Sequence, residues 1–226
     1  MTRALIPAVA LLLAACEPIG RVLDPDVAQL ARYQEAASRG DHAAIADEPV
    51  VPCTAGSPAC ARLHAIRAEA CLLRAMAARA PGAFCPAPTA ASDLACADQN
   101  YKAALAMAEG FTAADRAAHR RGLVQALLCR AESGTVAAGV APAREALALA
   151  AGLAPPEREA MSAAAALFLA RPGAGADSAR CAHARDALRH ARAGLETAPY
   201  DATAPLLRRL AADAALRRAT IPGCAP

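Results

Sequence analysis

Nine cysteines are spread along this chain of 226 residues, and eight of them, Cys53, Cys60, Cys71, Cys85, Cys96, Cys129, Cys181 and Cys224, follow an N-terminal segment that ends at the ninth, Cys16. Eight thiols in a chain that leaves the cytoplasm pair into four disulfides, and four cross-links restrict a backbone more tightly than any pattern of apolar residues. A metal is the weaker reading. There is no Cys-x-x-Cys pair, no haem-attachment Cys-x-x-Cys-His and no pair of short spacings of the kind a tetrahedral zinc site uses. The eight cysteines are therefore expected to be structural, with no metal and no cofactor.

Export is written at the N-terminus. Residues 1–15 carry one positive charge, Arg3, followed by an apolar run from Ala4 to Ala15 broken only by Pro7. That run is shorter than the about 20 residues of a permanent membrane helix, so it reads as a signal peptide. It closes on Leu13-Ala14-Ala15-Cys16, which resembles the lipobox of bacterial lipoproteins. The resemblance implies cleavage before Cys16, lipidation of Cys16 and an anchor on the periplasmic side of the cell envelope. Glu17 beside the anchor favours the outer membrane over the inner. Residues 16–25, with Pro18, Gly20 and Pro25 and no apolar period, read as a lipidated tether. Residues 26–226 are expected to form a single domain.

Composition excludes several functions for that domain. With no Trp, three Phe and three Tyr there are too few ring faces for a stacked nucleic-acid platform, and a formal charge of +3 is too small for a polyanion binder. Seventy alanines account for most of the 56% apolar content, so the core must be thin and close-packed. Alanine-rich stretches alternate with Pro/Gly punctuation, and nowhere do β-branched residues alternate with a period of two. The fold class is all-α.

Three stretches share one pattern: Ala97, Tyr101 and Ala104; then Ala143, Leu147, Ala150 and Pro155; then Ala187, Ala191, Gly194 and Pro199, with starts 46 and 44 residues apart. Small residues at the first and third places admit a neighbouring helix, and the proline ends one helix and opens the next. The pattern resembles the second helix of a tetratricopeptide repeat. That implies an α-solenoid of antiparallel helix pairs stapled by disulfides, with first helices near residues 58–80, 112–132, 156–170 and 202–219. The departures are a period longer than the family's 34 residues and first helices that mostly lack its large aromatic. An irregular helical bundle is the alternative. Residues 26–38 are expected to form a further helix with Val27, Leu30, Ala31 and Tyr33 inward, and residues 40–58 a short helix and a loop.

Helix pairs make disulfide predictions. In a hairpin turning near Gly110, Cys96 and Cys129 fall within one helical turn of facing each other. In a hairpin turning near Tyr200, Cys181 and Cys224 do the same, so one bridge would be used twice. Cys60 and Cys71 sit on one helix about 16 Å apart, beyond the about 7 Å a disulfide tolerates. For the remaining four, Cys53 with Cys60 and Cys71 with Cys85 is favoured, and Cys53 with Cys71 and Cys60 with Cys85 stays open.

Catalytic patterns are missing. None of His42, His64, His119, His183 and His190 forms a His-x3-His pair; His183 and His190 share a helix face near Asp186 but read as solvated. There is no Gly-x-Ser-x-Gly elbow. Gly173-Ala174-Gly175 lacks the strand and lysine of a phosphate loop, and Glu157 and Glu159 read as helix-opening carboxylates. No enzyme is expected. Arg116, Arg120 and Arg121, with Arg208, Arg209, Arg217 and Arg218 further on, form a candidate surface for an anionic partner. The resulting expectation is a lipid-anchored periplasmic scaffold or adaptor that binds an envelope protein or peptide in a helical-repeat groove, and no nucleic acid. The alternative is a lipoprotein that binds a small solute or metal.

Overall fold

A computed structural model describes residues 25–53 and 56–224. The expected signal peptide, the expected lipidation at Cys16 and nearly all of the expected tether lie outside the described residues. Nine α-helices make up the described chain, with no strand among the described residues: α1 (Pro25–Ser38), α2 (His42–Asp47), α3 (Pro58–Ala77), α4 (Ala91–Ala106), α5 (Ala113–Ser133), α6 (Val136–Ala150), α7 (Glu157–Leu169), α8 (Asp177–Thr197) and α9 (Ala204–Thr220).

The helix ends follow the sequence signals. Ser57 caps α3 by accepting from the Cys60 N–H at 3.4 Å, with Pro58 in the first turn, where its missing N–H costs nothing. Thr112 and Asp115 form a reciprocal capping box at the start of α5, and Thr135 caps α6. Only Gly134 and Thr135 separate α5 from α6, so these two must pack antiparallel. α6 continues through Pro142 and starts at Val136, seven residues before the Ala143 that opens the sequence pattern.

Each helix packs on its neighbours in sequence. The odd-numbered helices α1, α3, α5, α7 and α9 also touch in succession, whereas α4, α6 and α8 have no comparable contact with one another. The result is a row of antiparallel pairs with the odd helices along one side.

The pattern residues do what their size permits. Ala97, Ala104, Ala143, Ala150, Ala187, Ala191 and Gly194 are all buried between helices. Ahead of α3, α1 buries Asp26, Gln29, Tyr33 and Ala36, not the more apolar stripe of Val27, Leu30 and Ala31. Gln29 explains the choice. Its amide donates to the Pro49 carbonyl at 2.8 Å and accepts from the Val51 N–H at 2.9 Å, so a fully buried side chain pairs with an unpaired backbone strap.

Four disulfides are present: Cys53–Cys60, Cys71–Cys96, Cys85–Cys129 and Cys181–Cys224. The first and last match the favoured expectation. Cys96–Cys129 and Cys71–Cys85 do not form, and the recurring bridge goes with them. The register was right and the helix face was wrong. Asp98 of α4 pairs with Arg130 of α5, which puts residue 96 within one helical turn of residue 129. But Cys96 lies on the other side of α4, in a stripe with Asp93 and Asn100 that faces α3 through Arg74 (2.6 Å) and His64 (2.8 Å). Two residues along a helix turn the side chain by about 200°, so Asp98 and Cys96 point opposite ways. Cys96 therefore meets Cys71, and Cys129 is left to the α3–α4 connection, which brings Cys85 across to α5.

No helix among the described residues is long and apolar enough to cross a membrane, and four disulfides fit an oxidising, extracytoplasmic compartment.

Candidate interaction groove

The odd-helix side of the row carries a cleft. Its floor is built by α7, through Ala164, Leu167 and Phe168, and by α9, through Leu206, Leu210 and Leu216. On α9 these leucines follow helical spacing along one face, while Ala204, Leu207 and Ala214 occupy another and are buried in the core. Leu210 is itself buried and Leu206 packs against the same core cluster, so of these leucines Leu216 is the one left exposed.

Part of the cleft is taken by the chain itself. The α3–α4 connection runs over the odd-helix side and is fixed there by Cys85–Cys129. Gly82, at φ 75°, makes the turn that only glycine adopts without strain, and its carbonyl accepts a hydrogen bond from the Arg209 guanidinium at 3.1 Å. Phe84 follows and lines the same wall as Leu206. A cavity of about 310 Å³ remains between Phe84, α7 and α9. It shares Leu167, Arg171 and Asp213 with a neighbouring cleft of about 410 Å³ that ends at Leu216, Arg217 and Thr220.

The charges are unevenly matched. Arg171 bonds both carboxylate oxygens of Glu132 at 2.6 Å and lies 4.7 Å from the centre of the Phe168 ring, so it is neutralised and held. Arg79, Arg209 and Arg217 remain against Asp213 alone. The groove is basic with apolar walls, and no histidine lines it.

The sequence-nominated arginines fall in different places. Arg116 donates to the Phe111 carbonyl at 2.6 Å, Arg120 to the Gly152 carbonyl at 3.2 Å, and Arg121 pairs with Glu157 at 2.7 Å. Arg116 and Arg120 brace α5 against adjoining connections and Arg121 braces it against the start of α7, all near the end of the helix opposite to Glu132. Arg208 donates to the Pro199 carbonyl at 3.2 Å. Of the nominated set, Arg209 and Arg217 are the ones the groove brings together.

The histidines do not converge. His119 lies edge-on to Phe111 at 4.7 Å, and His183 and His190 are half-buried on α8; desolvation holds all three imidazoles below their ordinary value. The one cluster of possible metal donors among the described residues is Cys53, Cys60 and His64, with ligand atoms within 4.8 Å. Its two sulfurs are bonded to each other.

Phe84, Leu167 and Leu216 escaped the sequence reading. The available signal was Leu216 on α9, a leucine beyond those the helix uses for its own packing. Comparison with protein-family models, curated proteins and solved structures finds no match.

Proposed function

We propose that this protein is a lipid-anchored adaptor of the periplasmic side of the cell envelope, in which a tetratricopeptide-like array holds a segment of another envelope protein in the groove of α5, α7 and α9. The observation that carries the reading is the open, apolar-walled groove along successive odd helices, one end of which the chain's own α3–α4 connection already fills. Open clefts along stacked helix pairs suit elongated partners, whereas solute sites are enclosed and have convergent polar groups. The reading needs no catalytic residue and no cofactor. Lipidation at Cys16 holds the array at the membrane surface, the outer membrane in the first instance, because two or more acyl chains anchor a protein durably.

The test is a photo-crosslinking residue placed at Leu216 of the full-length protein in cells, with Leu73 on α3 as an exposed control site off the groove. One envelope protein joined at Leu216, missing at Leu73 and lost in Cys16→Ala supports the reading. Equal labelling at both sites, or membrane fractionation that survives Cys16→Ala, overturns it.

A further inference from the structure

The groove is occupied at one end and open at the other, and the two ends differ in chemistry. At the occupied end Arg209 is used by a backbone carbonyl and Phe84 contributes an aromatic wall, so a neutral segment suffices there. At the open end Leu216 is 67% exposed although it follows a run of buried leucines on the same helix. Beside it the Arg217 guanidinium has no hydrogen-bond or ion-pair partner among the described residues, Thr220 bonding only its backbone carbonyl. The neighbouring Arg171 is committed to Glu132, so Asp213 is the only carboxylate of this cleft left to offset it.

From this we infer that the groove recognises an extended peptide bearing a large apolar side chain with a carboxylate one to three residues away. The apolar group covers Leu216 and Leu167, and the carboxylate meets the Arg217 guanidinium. The inference rests on the adaptor reading and adds the chemistry of the partner segment. Apolar anchoring supplies most of the affinity in such a groove, and charge complementarity sets which segments are admitted. The chain's own connection shows what the groove accepts: a backbone carbonyl, here at the Gly82 turn, given to an α9 arginine, with a ring laid against the wall between α7 and α9. It carries no acidic residue from Arg79 to Ala90, so it satisfies the occupied end and leaves the open end unmatched.

The experiment is panning of a displayed random-peptide library on the full-length protein in detergent micelles, alongside Leu216→Asp, Arg217→Glu and the off-groove control Leu73→Asp. All three side chains are on the surface, and thermal unfolding confirms that each variant is folded. The expected result is enrichment of peptides that pair an aromatic or large aliphatic residue with Asp or Glu, unchanged in Leu73→Asp. Recovery should drop about tenfold in Leu216→Asp, and the enriched charge should switch from acidic to basic in Arg217→Glu. No enrichment over bare micelles, enrichment without acidic bias, or a bias that Arg217→Glu leaves unchanged overturns the inference. If Leu216 crosslinks a partner in cells while the acidic bias is missing, the adaptor reading stands and this inference falls. If crosslinking fails at Leu216 as well, the adaptor reading falls first.

Discussion

The two halves of the row are held together differently. The largest core gathers Tyr33, Ile45, Leu63, Leu94, Val124 and Leu127 of α1 to α5, all almost fully buried, and its buried residues reach the α6–α7 part only through Ala146, Ala150, Leu153 and Ala165; three of the four disulfides lie in the α1–α5 half. From α6 to α9 the buried residues split into small clusters dominated by alanine, such as Ala160, Ala163 and Ala191 in one and Ala166, Ala187 and Ala214 in another, with one bridge at the far end. The first half is stabilised by buried side-chain area and cross-links, the second by close approach of backbones. Close approach leaves little room: a Cβ on Gly139 would stand 2.3 Å from the Phe168 ring and 2.5 Å from the Ala131 carbonyl oxygen. It also places the groove on the half with fewer constraints.

The largest break in this contrast should come from Leu127→Ala, expected to cost about 4 kcal/mol, against about 2 kcal/mol for Leu188→Ala, whose alanine neighbours can close in on a smaller hole. Chemical denaturation of both variants checks the difference. Removing a bridge should cost about 2–4 kcal/mol on either side, but the location of the damage should differ. Without Cys181–Cys224, hydrogen exchange is expected to quicken in α8 and α9 alone, and without Cys71–Cys96 throughout α3 to α5. Gly139→Ala should cost about 1–3 kcal/mol in spite of alanine's better helix propensity, because a backbone carbonyl cannot step aside. Thr112→Ala should cost about 1 kcal/mol through loss of the α5 cap, read as a shift in the thermal midpoint.

The smallest effect is that of pH. His119 in the first half and His183 and His190 in the second are held below their ordinary value by burial, so the folded chain resists protons that the unfolded chain takes up. The stability of the neutral imidazoles is present above the unfolded value of about 6.5. It is lost as pH falls below it, and the loss stops growing once the folded imidazoles protonate too. Thermal midpoints between pH 7.5 and 5.5 should show this decline, and His119→Gln should flatten it in part.

The sequence made the helices and their order legible because proline, glycine and capping residues mark the boundaries regardless of tertiary structure. Pairing register was legible too, since Cys181 does meet Cys224 around the turn near Tyr200. Azimuth was not. On α4, Cys96 and Asp98 are separated by alanine alone, and with alanine on several faces no apolar stripe shows which side of the helix turns to α3 and which to α5. The inward choice of Gln29 over Leu30 was hidden for another reason, since it depends on a strap some twenty residues away that needs hydrogen-bond partners. The groove needed the Cys85–Cys129 bridge to be known first, because only that link carries Phe84 to the odd-helix side.

The interleaving of Cys71–Cys96 with Cys85–Cys129 also decides how the molecule yields to force. Pulled at its two ends, the chain cannot lengthen across 85–129 or 181–224, because covalent shortcuts carry the load. Among the described residues the longest stretch outside any bridge is the run between Cys129 and Cys181, which holds α6 and α7 and measures about 180 Å when drawn straight. Since α7 is also part of the floor of the groove, tension on this run would take the groove apart while the Cys71–Cys96 and Cys85–Cys129 bridges still held α3, α4 and α5 together.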